Sequence, residues 1–476
     1  MYRLSTQKRI YPYGEGLTRE NGKTSAFRVA GRDFRAFFYQ GSLFACPFRT
    51  LAESSYAIIS RKRKNMDYSY VKDFKKLGFG MFVHYGLYST LEAGEWYFAC
   101  AFNGGYIKSP ISMDEYIEKA LPKFNPKKNW ARDLCRLAKQ SGCRYVTMTT
   151  RHHEGFSLYD TKGLNEYDAP HSPAKRDLVK EFVDACHEYG MKPFFYHTVI
   201  DWWQSDFQKG NFESYFEYLR KSIEILCTNY GEVGGFWFDG TWGLPEGVAF
   251  PDEIYKMIHR LQPKAIVTNN TGLDFCGQKG GEEIDCVTFE RGKAFPVSSK
   301  ESRPLAGEVC DTISDHWGYA KDDLCVKSYS QLLNELIDTR ACGCNLLLNV
   351  GPKGNGDVPF MQKEIMLSLG KWLKKNRFII LDTEPASIRG EGACFFEKDG
   401  KYYAVVKDVP MAADVHVQRV LGKKVVQVET DRKIVSAKMV DRPQEKPVME
   451  GKNQFRIYPF GYGISYGARI AEFKLK

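Results

Sequence analysis

Four apolar runs in this chain end on side chains that can hold a charge or move a proton. Phe79-Gly-Met-Phe-Val leads to His84, and Tyr145-Val-Thr-Met-Thr-Thr150 leads to Arg151, His152, His153 and Glu154. Pro193-Phe-Phe-Tyr196 leads to His197, and Gly235-Phe-Trp-Phe leads to Asp239. Apolar, β-branched runs of this length read as buried parallel strands, and a polar burst at the strand end is where such folds carry a site. Four strands that each finish this way point to one shared pocket.

Asp239 is the strongest single candidate, because a carboxylate closing an aromatic strand is costly unless it is paired or functional. Glu290 is second, ending the run Ile284-Asp-Cys-Val-Thr-Phe289 just before Arg291-Gly292. Two carboxyl groups at neighbouring strand ends are what glycoside hydrolysis needs, one as nucleophile or base and one as proton donor. Glu95, Glu154, Glu282, Glu283 and Glu308 are rival acids. His84, His152 and His153 suit either metal ligation or hydrogen bonding to a polyhydroxylated substrate. Adjacent histidines on an extended strand point to opposite faces, which argues against one ion held by both. A metal-dependent barrel hydrolase using His84 and His153 is the first rival reading, and a non-catalytic sugar-binding protein is the second. Trp96, Trp242 and Trp317 lie in loop-like segments where they can wall a pocket. The run Asn349-Val-Gly-Pro-Lys-Gly-Asn-Gly356 lacks the Gly-Lys-Ser/Thr ending of a phosphate loop, so no phosphate role is expected.

These residues need a scaffold of alternating strands and helices. Ser112 precedes a run with capping character. Helical periodicity covers Asn129 to Ser141, Asp177 to Tyr189, Phe212 to Asn229, Ile254 to Leu261 and Tyr329 to Cys342. Short strands are expected at Ala265 to Thr268 and Asn345 to Val350. Strand–helix repetition over residues 66–375 fits a (β/α)8 barrel, whereas a doubly wound sheet would show a Gly-rich turn after its first strand. After Trp372 the pattern changes to short alternating runs (Ala393 to Phe396, Tyr402 to Val406, Val415 to Val420, Phe455 to Tyr458), so residues 376–476 are expected to form a small antiparallel β-sandwich.

The formal charge of +10 is confined to one end. Residues 1–65 hold 13 of the 68 basic and 4 of the 58 acidic side chains, a net +9, and the rest holds 55 and 54, a net +1. A nearly neutral body gives no reason to expect a nucleic-acid partner. The basic segment reads as a disordered or artefactual extension with Met66 as a plausible start, and the alternative is a basic targeting arm. Thirteen scattered cysteines without zinc-ligand spacing fit free thiols in a reducing compartment. No run of about 18 apolar residues suggests a membrane span, and no apolar signal segment is visible, so a cytoplasmic protein is expected. Aromatic residues make up 14% of the chain, enough to stack on sugar faces as well as fill a core.

Together these segments resemble glycoside hydrolase family 29, the α-L-fucosidases. The resemblance rests on Phe79-Gly-Met-Phe-Val-His-Tyr-Gly-Leu-Tyr-Ser89, Gly94-Glu-Trp-Tyr97, Tyr145 through Phe156, Trp237-Phe-Asp239 and Asn345-Leu-Leu-Leu-Asn-Val-Gly-Pro352, in the family's order. It implies a metal-free, cofactor-free, retaining exoglycosidase with a barrel and a C-terminal β-sandwich, acting on fucosylated glycans. It places the nucleophile on Asp239 and the acid/base on Glu290. Substrate contacts are implied at His84, Glu95, Trp96, His152, His153 and Tyr196. Trp317 and Phe82 are implied as apolar walls for the sugar's methyl group. An arginine that some members carry after the fifth strand has no counterpart here, where Val267-Thr-Asn-Asn-Thr271 stands. The linkage cleaved is not legible, and an oligomer is compatible with everything above.

Overall fold

The computed structural model describes residues 67–98, 111–297, 303–412 and 424–476. Eight parallel strands close into a barrel in sequence order. They are β1 (Phe79–Val83), β2 (Tyr145–Arg151), β3 (Lys192–Thr198), β4 (Gly235–Asp239), β5 (Ile266–Asn269), β6 (Cys286–Glu290), β7 (Ala306–Thr312) and β8 (Asn345–Val350), and β8 pairs back onto β1. The fold is thus the expected (β/α)8 barrel followed by antiparallel sheets. The basic extension expected at 1–65 lies outside the described residues.

Side chains alternate across each strand, so every second residue faces the barrel axis. Phe79, Met81 and Val83 pack outward with the helices, while Phe82 joins an inner cluster with Tyr145, Phe194, Tyr196, Trp237 and Leu347. Phe236 and Phe238 likewise face out while Trp237 faces in. Carrying that period one step further along the chain puts His84, Asp239, Asn270, Glu290 and Asn349 on the inner face at the mouth. The opposite end is plugged by the helix Ser69–Leu77, whose Val71 and Phe74 belong to the inner cluster and whose Tyr70 hydroxyl donates to Asp285 (2.9 Å).

Side-chain caps mark the start of some of the helices. Ser112 Oγ accepts from the Glu115 amide at the head of Met113–Ala120, and Asp177 accepts from the Lys180 amide at the head of Leu178–Tyr189. Helices also form at Trp130–Gln140, Phe212–Thr228, Asp252–Leu261 and Tyr329–Ala341, within two residues of their expected ends. The final barrel helix runs Phe360–Ile380, across the expected boundary at residue 375. β7 was not anticipated, because Ala-Gly-Glu-Val-Cys-Asp-Thr has weak strand character.

The C-terminal residues form a five-stranded sheet ordered Ile434–Met439, Arg469–Leu475, Lys401–Val406, Cys394–Lys398 and Glu384–Pro385. A second sheet of four strands is ordered Arg389–Glu391, Lys424–Glu429, Gln454–Ile457 and Val448–Met449. The strand expected at Val415 to Val420 lies outside the described residues. Phe395, Val426, Phe455 and Phe473 fill the space between the two sheets, while Phe396, Tyr403, Val405 and Ile470 continue into the barrel's own core. Among the described residues no helix is long and apolar enough to cross a membrane.

Candidate active site

Asp239 closes β4 and is almost fully buried. Both its oxygens are engaged. Oδ2 accepts from the Tyr196 hydroxyl (2.8 Å) and faces His153 Nε2 at 3.5 Å, and Oδ1 accepts from Trp242 Nε1 (3.0 Å) and Asn270 Nδ2 (3.1 Å). Burial pushes the carboxyl upward, but His153, Tyr196 and Trp242 outweigh it and hold the group at about 2. Gly240, next in sequence, has φ 98°, and a Cβ there would meet Ile200, so a glycine makes the sharp exit from β4.

Glu290 closes β6, the second strand over from β4. Burial first, and then the negative charge of Asp239, raise its carboxyl to about 7, against the opposing pull of Asn270 and Arg291. The Asn270 amide nitrogen donates to Glu290 Oε2 at 2.7 Å as well as to Asp239. The two bonds, 3.1 and 2.7 Å, together span 5.8 Å, so the bridged carboxyl oxygens lie no farther apart than that. Directly after Glu290, Arg291 takes a left-handed backbone (φ 48°), costly for a residue with a Cβ, and its guanidinium lies 5.2 Å from the centre of the Trp317 ring.

The histidines gather on one side. Asn349 gives its amide hydrogens to the Trp317 carbonyl (2.7 Å), so its oxygen accepts from His84 Nδ1 (2.8 Å). Burial lowers His84 to about 3, so the ring is neutral and Nε2 is an acceptor. Thr198 uses its single hydrogen on the Ile200 carbonyl (2.5 Å), so His153 Nδ1 donates to it (2.6 Å). Burial, with its two histidine neighbours, also keeps His152 neutral. The rings of His152 and His153 lie 4.2 Å apart on the same side, not on opposite faces as expected. The reason is that β2 ends at Arg151, so both follow the strand and the alternation no longer applies.

Glu95 is buried and accepts from the Gly318 amide (2.7 Å), and burial raises its carboxyl. Trp96 packs against His153 and stacks with Trp242. Trp317 lies beside His84, with ring centres 5.0 Å apart. Phe82, expected to line the pocket, is fully buried below it instead, where it supports His84, Trp237 and Trp317 edge-on. Two residues before His84 in the chain, it sits one layer deeper in the barrel.

The rival acids are placed elsewhere. Glu283 pairs with Arg303 (2.8 Å) ahead of β6, at the end opposite the mouth, and Glu282 precedes it. Glu308 lies one layer below Glu290, where burial raises it to about 7 and Tyr145 and Trp237 bond to its two oxygens (2.5 and 3.1 Å). Glu154 is buried 3.7 Å from His152 Nδ1 and pushed up to about 8. Sequence reasoning missed Asn270, Asn349 and Thr198. The strand-end rule applied to Ala265 to Thr268 leads to Asn269 and Asn270, but only the register says which of the two faces inward.

The family model described as "Alpha-L-fucosidase" matches residues 49–377, beginning ahead of Met66. The tissue alpha-L-fucosidase of Rattus norvegicus is 24% identical over 370 residues, spanning 72% of this chain and 78% of its own length. The plasma alpha-L-fucosidase of the same organism is 27% identical over 340 residues, 65% of this chain and 70% of its own. The solved structure of alpha-L-fucosidase isoenzyme 1 from Paenibacillus thiaminolyticus superposes with a TM-score of 0.72 at 26% identity, covering 87% of this chain and 99% of that one. With the barrel, the strand-end carboxylates and a family match over most of its length, the chain belongs to the α-L-fucosidase family of glycoside hydrolases.

Proposed function

We propose that this enzyme is a retaining exo-α-L-fucosidase that releases terminal fucosyl units from glycans by double displacement, with Asp239 as nucleophile and Glu290 as acid/base. The observation that carries the reading is the pair of carboxyl oxygens bridged by one amide nitrogen, at most 5.8 Å apart. Retaining enzymes hold their carboxyl groups about 5–5.5 Å apart, while inverting ones leave about 6.5–9.5 Å for a water.

In the first step Asp239 Oδ attacks the anomeric carbon, the glycosidic C–O bond breaks, and the leaving oxygen takes the proton of Glu290. The ordering of the two carboxyl groups supports these roles, since Asp239 is held ionised and Glu290 is held protonated below about pH 7. In the second step water gives a proton to Glu290, now ionised, and its oxygen bonds to the anomeric carbon. Asp239 departs as carboxylate.

In this reading His84, His152, His153, Glu95 and Trp96 bind the hydroxyls of a single sugar ring, and Trp317 supplies an apolar wall for its methyl group. Such a wall is worth about 1–3 kcal/mol against a sugar with an added hydroxyl. Hydrolysis of an aryl α-L-fucoside followed by proton NMR tests the reading. The fucose formed first is expected to be the α-anomer, and initial release of the β-anomer would overturn double displacement. A panel of fucosylated oligosaccharides then reads out the linkage.

A further inference from the structure

We propose that Asn270 is a positioning residue that makes one unit of the two carboxyl groups, sharing a single negative charge between them and fixing which oxygen of Glu290 carries the proton. The proposal rests on the double-displacement reading above.

The amide's orientation is set by its surroundings. The Gly272 backbone N–H points at the other amide atom (3.3 Å), and a backbone N–H can only donate, so that atom is the oxygen. The Thr288 hydroxyl donates to the same oxygen (3.0 Å). Both hydrogens of Nδ2 are therefore free for carboxylates, one toward Asp239 Oδ1 and one toward Glu290 Oε2. Asn270 is buried, so water does not compete for them.

Two consequences follow for the chemistry. A protonated carboxyl accepts poorly through its O–H oxygen, so with Oε2 accepting from Asn270, the proton of resting Glu290 sits on Oε1. That aims the acid before substrate arrives. In the glycosyl-enzyme, Asp239 has become a neutral ester and Glu290 carries the charge. The same amide contacts both groups, so it stabilises the anion in each half of the cycle without having to move. The charged and titratable groups facing the pair are His84, His153, Tyr196, Cys276, Arg291, Cys310 and Asp311. None of these hydrogen-bonds to both acids, and among the described residues Asn270 alone does.

The test uses Asn270→Ala and Thr288→Val in the full chain. Asn270 stabilises both anions, so its loss raises both carboxyl groups. The alkaline limb of the kcat/KM–pH profile, set by Glu290, is expected to move upward, and kcat to fall about ten- to a hundredfold, as expected for losing hydrogen bonds to charged groups. Thr288→Val leaves the amide in place but unanchors and depolarises it, so the same upward shift is expected at smaller amplitude. This second variant decides the matter should Asn270→Ala fail to fold. Activity lost with an unmoved alkaline limb, or a wild-type profile in the variants, would overturn the proposal. Failure of the wild-type enzyme to cleave an aryl fucoside would instead sink the functional reading.

Discussion

The charge state of two carboxyl groups is the centre of the chemistry at the residue scale. Asp239 has four polar neighbours that favour its anion, and Glu290 has a negative neighbour and burial that favour its neutral acid. Replacing Asp239 by Asn preserves the size of the side chain but removes the nucleophile, so turnover should vanish while the melting temperature stays close to that of the parent. Wild-type-like rates would contradict the assignment. Glu290→Ala should cost about 10²–10⁴-fold with poor leaving groups, while an activated aryl fucoside still passes the first step. Added azide should then restore turnover and yield a fucosyl azide, and absence of rescue would point to another acid.

The pH dependence has a fixed sign. Glu290 must be protonated to start the cycle, and its raised value of about 7 means that kcat/KM is full below neutrality and falls above about pH 7. Asp239 must be ionised, and its value of about 2 puts the acid limb far below the working range. Because the acids interact, the two limbs belong to the pair. An alkaline limb near pH 4 to 5 would contradict this assignment.

At the scale of elements, strand ends and the loops that cross them aim the side chains. β8 exits through Gly351, against which the Trp317–Tyr319 segment lies so closely that a Cβ would meet backbone atoms at 2.8 Å. That approach lets Asn349 reach the Trp317 carbonyl and brings Gly318 to Glu95. Gly351→Ala must push this crossing apart. Overpacking of this kind costs about 1–3 kcal/mol. The variant should therefore melt lower and show a raised KM from the displaced Trp317 and Glu95, measured by a thermal melt and by kinetics on the same aryl fucoside. An unchanged KM would mean that the crossing does not set the sugar-binding wall.

Across the whole molecule, burial of acids ties stability to pH. Burial lifts Glu154, Glu290 and Glu308 to about 8, 7 and 7, above their unfolded values near 4.3. A buried acid with a raised value is protonated in the folded chain and ionised in the unfolded one across that window. Stability is therefore expected to decline as pH rises from about 4.3 toward 8 and to level off beyond. Glu308→Gln mimics the neutral acid between Tyr145 and Trp237, so it should flatten part of that slope in melting curves recorded from pH 5 to 8. An equal slope in parent and variant would show that Glu308 is not one of the titrating groups. The C-terminal sheets belong to the same stability unit, since Phe396, Tyr403 and Ile470 share the barrel's core and Trp372 reaches the Ala468 carbonyl.

The sequence by itself determined most of the barrel strands and which of them carry chemistry, because strand burial and strand-end polarity are local, period-two properties. That is why β1 through β6 and β8, with His84, Asp239 and Glu290 among their ends, were legible, and why the cap Ser112 marked its helix. β7 was hidden because Ala-Gly-Glu-Val-Cys-Asp-Thr is a weak strand former, and its buried Glu308 is satisfied only by Tyr145 on β2 and Trp237 on β4. Asn270 was hidden too. One of two adjacent asparagines, it becomes part of the site only when strand pairing sets β4 and β6 on either side of β5. Tertiary structure alone decided the spacing of Asp239 and Glu290, the depth of Phe82 and the shared side of His152 and His153, since distances between strand ends depend on register and barrel closure, which no local run of residues specifies.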